Sequence, residues 1–158
     1  MVVIDGHNLL WAVQEMPDSP AVRDEVGLCR IISRYLVAVG EKGEIVFDGT
    51  GPSDKSAFDN IRAIDVFFAG LASDADTVIE DKIRASSAAR EMAVISSDRR
   101  LRRAAQSQRA KAVKADEFWR TVQRELSRKR VEQEPPAKQS GLSEGETDRW
   151  FEMFGFDQ

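Results

Sequence analysis

Two rhythms of hydrophobic and polar residues alternate along this chain. Short apolar runs of strand length fall at residues 1–5, 44–48, 61–69, 92–97 and 111–114. Between them, apolar positions recur at spacings of three and four, which marks helices with one buried stripe. The longest such stretch opens at Ser19-Pro20 and stops at Gly40, with Val22, Val26, Cys29, Ile32, Leu36 and Val39 on one face; proline inside the start and glycine past the end are the expected punctuation. Further helices are predicted over 8–15, from Ser73 or Asp74 to about 90, over 99–108, and over 115–131, the last with Phe118, Trp119, Val122 and Leu126 inward. Strands alternating with helices predict a three-layer α/β/α domain around a mostly parallel sheet.

The rhythm breaks after Val131. Residues 132–142, with Pro135-Pro136, read as a linker. Beyond it, Ser143 and Glu146 have the spacing of a capping box, and Trp150, Met153 and Phe154 form a helical stripe. The expected organisation is a domain at 1–131, a linker at 132–142 and a tethered aromatic-rich helix at 143–158. Two destinations for that helix stay open: the domain's own core, or a groove on a protein partner or a second copy.

The predicted strands end in acids. The run Val2-Val3-Ile4 meets Asp5, Ile45-Val46-Phe47 meets Asp48, and Val94-Ile95-Ser96-Ser97 meets Asp98; the run 61–69 leads to Ser73-Asp74-Ala75-Asp76. Open parallel sheets gather their chemistry outside the carboxyl ends of the strands. Two carboxylates 4 Å apart repel by about 4 kcal/mol at an effective dielectric near 20. Acids brought to one edge are most easily tolerated around a divalent cation, and carboxylates are hard oxygen donors suited to Mg²⁺ or Mn²⁺.

Composition narrows the setting. At 158 residues, 42% hydrophobic and 32% charged, the chain has enough apolar material for one core. No apolar run approaches the roughly 18 residues that span a membrane, and Asp5 interrupts any signal-peptide pattern. A single Cys29 rules out an intrachain disulfide and a cysteine-rich zinc site; it fits a reducing compartment, so the cytoplasm is expected. The overall charge of −4 hides an asymmetry: residues 1–98 carry a net −8, residues 99–130 a net +9, and residues 131–158 a net −5. A basic block beside an acidic half suits a polyanionic substrate, although a solvated helix face would give the same block.

Asp5-Gly6-His7-Asn8, Val46-Phe47-Asp48-Gly49, Ala75-Asp76-Thr77-Val78-Ile79-Glu80 and Val94-Ile95-Ser96-Ser97-Asp98 follow one another in an order that resembles the NYN branch of the PIN-like ribonucleases, and within it the bacterial YacP-like subfamily. The resemblance covers residues 1 to about 130. It implies a PIN-like fold and Mg²⁺- or Mn²⁺-dependent cleavage of RNA, endonucleolytic by analogy, with messenger or ribosomal RNA as the substrate class and a ribosome or protein as a further partner through the C-terminal helix. Oligomeric state stays open. Carried over by motif, Asp5, Asp76 and Asp98 are the metal ligands, with Asp48 beside them and Asn8, Asp74, Glu80 and Ser97 in support; Arg99, Arg100, Arg102 and Arg103 are expected to hold phosphates, which guanidinium forks match.

Each residue has a plainer reading. Asp5, Asp74 and Asp98 could only cap helices, Asp76 could be a first-turn acid favoured by the helix dipole, Asp48 could be a turn residue, and Glu80 could lie at the surface. His7 is read as a substrate-stacking or packing group rather than a general base. PIN-like sites often carry another acid one helical turn past the last strand-end Asp, where this chain has Arg102. That departure leaves an alternative function: an RNA-binding or ribosome-associated module without catalysis. An acid-loop phosphotransferase fits less well, because Asp5 has no acid two residues later and no P-loop is present.

Overall fold

The computed structural model describes residues 1–19 and 22–133. The expectations for residues 134–158, including the aromatic helix and most of the linker, lie outside the described residues. The chain divides into two units, Met1–Leu126 and Ser127–Gln158. The first holds the sheet. In the second, residues 127–133 are helical, with an Arg128–Glu132 ion pair of 2.8 Å.

Five strands, β1 (Val2–Asp5), β2 (Gly43–Phe47), β3 (Ile64–Phe68), β4 (Ala93–Ile95) and β5 (Lys111–Val113), form one sheet in the order β3-β2-β1-β4-β5. Every pairing is parallel, a sharper result than the mostly parallel sheet expected. The helices are α1 (Gly6–Glu15), α2 (Glu25–Val39), α3 (Ala75–Ala85), α4 (Arg99–Ser107) and α5 (Ala115–Gln133). Among the described residues no helix is long and apolar enough to cross a membrane.

Strand alternation sends neighbouring side chains to opposite faces, and both faces are covered. Ile4, Ile45, Phe47 and Ile95 pack with Leu9, Leu28, Ile32, Leu36, Phe118 and Trp119 from α1, α2 and α5. Val3, Val46 and Val94 pack with Ile79, Ile83, Leu101 and Ala105 from α3 and α4. Central strands buried on both sides explain the continuous Val/Ile runs that lack a polar face.

Several boundaries differ from those expected. α2 starts at Glu25 because Asp24 caps it, accepting the Gly27 N–H at 2.8 Å; Ser19 instead accepts the indole N–H of buried Trp119 at 2.7 Å. β3 starts at Ile64 because Asn60 and Ala63 have φ of 61° and 63°, left-handed values no strand uses. α3 ends at Ala85, and a 3₁₀ turn at Ala89–Glu91 leads into β4. α5 continues to Gln133.

Candidate metal centre

Two-residue periodicity selects which side of the sheet the acids occupy. In β1, Asp5 falls on the same face as Val3, the face covered by α3 and α4. Counting two residues on from Val46 reaches Asp48, and two on from Val94 reaches Ser96. α3 and α4 begin at this edge, with Asp76 in the first turn of α3 and Asp98 as the N-cap of α4. The packing pattern that builds the second core therefore also gathers the acids.

Asp5 is the most enclosed of them, at 6% exposed. Burial pushes its carboxyl up to about 6; the hydrogen bond from Ser96 opposes the shift, and nearby Asp76 and Asp48 add to it. Ser96, fully buried, donates its hydroxyl to Asp5 Oδ2 at 2.9 Å and accepts the Asp98 backbone N–H at 3.0 Å. One hydroxyl thus links two strand-end acids. The Asp76 carboxyl is also raised, by burial first and then by Asp98, with Arg100 opposing. Among the described residues no hydrogen bond or ion pair holds Asp76.

The remaining acids are partly engaged. Asp98 Oδ1 accepts the backbone N–H groups of Arg100 at 2.8 Å and Leu101 at 3.2 Å. Asp48 Oδ1 accepts the Ala75 N–H at 2.8 Å, which fixes the loop after β2 to the start of α3. Asp74 caps α3 through the Thr77 N–H at 2.7 Å, and hydrogen bonding from the Thr77 side chain first, then from its N–H, holds the carboxyl below the usual range. Glu80 is engaged by Arg100, which binds it at 2.7 and 2.9 Å and lowers its pKa. The acids brought together electrostatically are Asp5, Asp48, Asp76 and Asp98, with Asp74 alongside Asp76.

Supporting residues divide similarly. Asn8 Oδ1 accepts the Ser97 N–H at 2.9 Å, tying the first turn of α1 to the end of β4. The Ser97 hydroxyl accepts the Ala115 N–H at 3.1 Å and so caps α5, leaving Ser96 as the serine that touches Asp5. Of the four arginines, Arg100 is committed to Glu80, and Arg102 buries its Nε without a hydrogen-bond partner. Arg99 and Arg103 are exposed. Cys29 is buried and its thiol is pushed up to about 12, which removes it as a nucleophile.

Two contacts at this edge carried no sequence signal. Glu25 reaches His7 Nε2 at 3.2 Å, and His7 Nδ1 accepts the Asp48 N–H at 3.3 Å. Trp11 stacks on His7 with ring centroids 5.9 Å apart; their i, i+4 spacing on a helix could have shown that pair.

Gly6 sets how closely α1 approaches β2. A Cβ there would meet the buried Phe47 ring at 2.4 Å and the Val46 carbonyl at 2.9 Å. Gly6→Ala is expected to cost about 1–3 kcal/mol through overpacking, read by urea denaturation. A loss below about 0.5 kcal/mol would contradict this packing.

The donor chemistry fits a hard divalent cation: four carboxylates, one of them held up to about 6 by burial, share one edge. Among the described residues, however, no three His, Cys, Asp or Glu side chains stand as a ready-made metal site. The acids share a neighbourhood without forming a closed cage.

The comparisons agree with this architecture. The model of the YacP-like NYN domain family matches residues 2–153. The crystal structure of Rae1 (YacP) from Bacillus subtilis superposes with a TM-score of 0.66 at 21% identity, covering 98% of this chain and 92% of that one. A mutant of the same protein gives 0.63 at 21% identity, covering 88% and 87%. No curated protein matches. With a family match spanning nearly its whole length, the chain belongs to the YacP-like NYN domain family.

Proposed function

We propose that this protein is a metal-dependent ribonuclease, acting endonucleolytically on RNA phosphodiester bonds at the acidic edge. The observation that carries the reading is the meeting of Asp5, Asp48, Asp76 and Asp98 on one face of one sheet edge, in a chain of a nuclease-like family. Asp5, Asp76 and Asp98 would hold Mg²⁺ or Mn²⁺, with Asp48 contributing. A bound divalent cation acts as a Lewis acid toward the phosphodiester and offsets the charge that develops on it.

The chain's own residues do the positioning. Ser96 orients Asp5 through its 2.9 Å bond, and Asn8 fixes the turn after β4 that presents Asp98. Exposed Arg99 and Arg103 on α4 supply positive charge for the substrate backbone. Arg100 keeps α3 and α4 together through Glu80.

Asp98→Asn is the discriminating variant. Asparagine caps a helix as well as aspartate does, so α4 keeps its start and only the charge is lost. In Mn²⁺ or Mg²⁺, cleavage of mixed RNA substrates is expected to fall at least about 100-fold, while RNA binding persists. Wild type is run beside it, with EDTA and with DNA. Equal cleavage by both proteins would show that the activity is not made at this edge.

A second reading, an RNA-binding module of the same fold without catalysis, is favoured by one observation: no three carboxylates stand ready as a cage among the described residues. RNA binding by wild type with no metal-dependent cleavage would decide for it.

A further inference from the structure

Trp11 is 60% exposed on α1, whose opposite side buries Leu9, Leu10 and Val13. A single exposed apolar side chain is ordinary, but this one is fixed. Its ring lies 5.9 Å from that of His7, with 18° between the planes. His7 is held at both nitrogens: Nδ1 accepts the Asp48 N–H at 3.3 Å, which places the proton on Nε2, facing Glu25 Oε1 at 3.2 Å. Its ring edge also rests on buried Phe47, 5.2 Å away at 62°. Asp48 is one of the clustered acids. A stack of aromatic rings therefore begins at the acidic edge and runs outward along α1.

We propose that Trp11, positioned by His7, is a stacking platform for an unpaired base of the nucleic-acid strand next to the phosphodiester held at the acids; this rests on the ribonuclease reading above. Six residue steps along the helix lead from Asp5 to Trp11, a rise of about 9 Å, close enough for a base flanking that phosphate. Stacking asks only for a π-face, so it tolerates any base but requires one that is not already paired. Glu25 and Asp48 flank the rings. Their charge disfavours a phosphate there and accepts a neutral base, whose exocyclic amino groups are donors. Because His7 is clamped before anything binds, the platform costs little ordering when a base arrives.

Trp11→Phe, Trp11→Leu and Trp11→Ala separate π-stacking from simple apolar contact. Binding of a short single-stranded oligoribonucleotide is measured in EDTA, where cleavage is off, with unfolding curves to confirm that each variant folds. Phe is expected to stay within a few-fold of wild type, and Leu and Ala to bind about 5- to 100-fold more weakly. Quenching of tryptophan emission by the oligonucleotide should disappear in Trp11→Phe. In Mn²⁺, Trp11→Ala should raise KM on single-stranded RNA and leave kcat unchanged. If the ordered loss of affinity holds but wild type cleaves nothing, the ribonuclease reading falls and the platform stands. If wild type cleaves and all three variants match it in affinity and KM, the platform is overturned and the ribonuclease reading stands. A variant series that shifts the protein's own oligomeric mass but not its RNA affinity would also overturn the platform and mark Trp11 as a self-association contact.

Discussion

Asp5→Asn is expected to make the metal-free protein more stable while it abolishes cleavage. Asp5 has a carboxyl raised from 3.8 to about 6. In the unfolded chain it loses its proton near 3.8, and in the folded protein near 6. Between those values the folded state binds more protons, so stability falls as pH rises from about 4 to about 6 and stays at the lower level above it. The shift is about 2 units at 1.36 kcal/mol each, so the ionised group costs up to about 3 kcal/mol at neutral pH. Asparagine carries no charge and can still accept the Ser96 hydroxyl. Urea denaturation of both proteins in EDTA, at about pH 4 and about pH 7.5, should show the variant gaining roughly 1–3 kcal/mol over wild type at the higher pH only.

The cation should reverse the order. Mn²⁺ that binds only the folded state at a hundredfold excess over its Kd adds about 2.7 kcal/mol, and this gain is expected in wild type and not in Asp5→Asn. Parallel pH profiles in the two proteins would mean that the ionised Asp5 carries no burial cost. Equal stabilisation by Mn²⁺ would mean that Asp5 is not a ligand.

The second large effect is expected at Phe47, the residue immediately before Asp48. It is fully buried, stacks on Phe68 with centroids 5.7 Å apart, meets His7 edge-on and leaves no room for a side chain at Gly6. Phe47→Ala should cost about 3–5 kcal/mol, because its neighbours come from separate elements and cannot all collapse into the space. Phe47→Leu should cost under about 1.5 kcal/mol. Cleavage should fall further than the folded fraction does, since the ring supports both Gly6-His7 and the turn that carries Asp48. Thermal unfolding and initial rates at saturating Mn²⁺ check this. A loss under about 1 kcal/mol in Phe47→Ala would show that the ring is not packed as described.

The core was readable because its causes are local. Val/Ile runs closed by an acid could only be buried strands, and the three-and-four stripes on the helices are the residues that cover them. Asp5, Asp48 and Asp98 were visible because each follows such a run directly. The start of α2 was not: Ser19-Pro20 carries a start signal, yet the residue whose oxygen reaches a free amide of the helix is Asp24. Nor was the start of β3: an alanine at φ 63° has no signature in sequence.

Contacts set by how elements pack laterally were hidden too. Arg100 binds Glu80 because α3 and α4 lie side by side, a pairing between residues twenty apart that neither helix announces by itself. His7 meets Glu25 only because α2 passes α1. Whether four carboxylates close on a cation depends on side-chain rotation, which residue order does not encode.

The placement of Asp5 and Asp48 on the face shared with Val3 and Val46 makes the acidic edge sensitive to length in an odd-or-even way. Inserting one residue within Val2–Ile4 would turn Asp5 toward the α1 and α2 side, away from Asp76, with every residue type conserved. Inserting two would keep the side and only lengthen the strand. For homologues or engineered variants of this fold, the count of residues in these short segments therefore deserves as much scrutiny as the identity of the aspartates that end them.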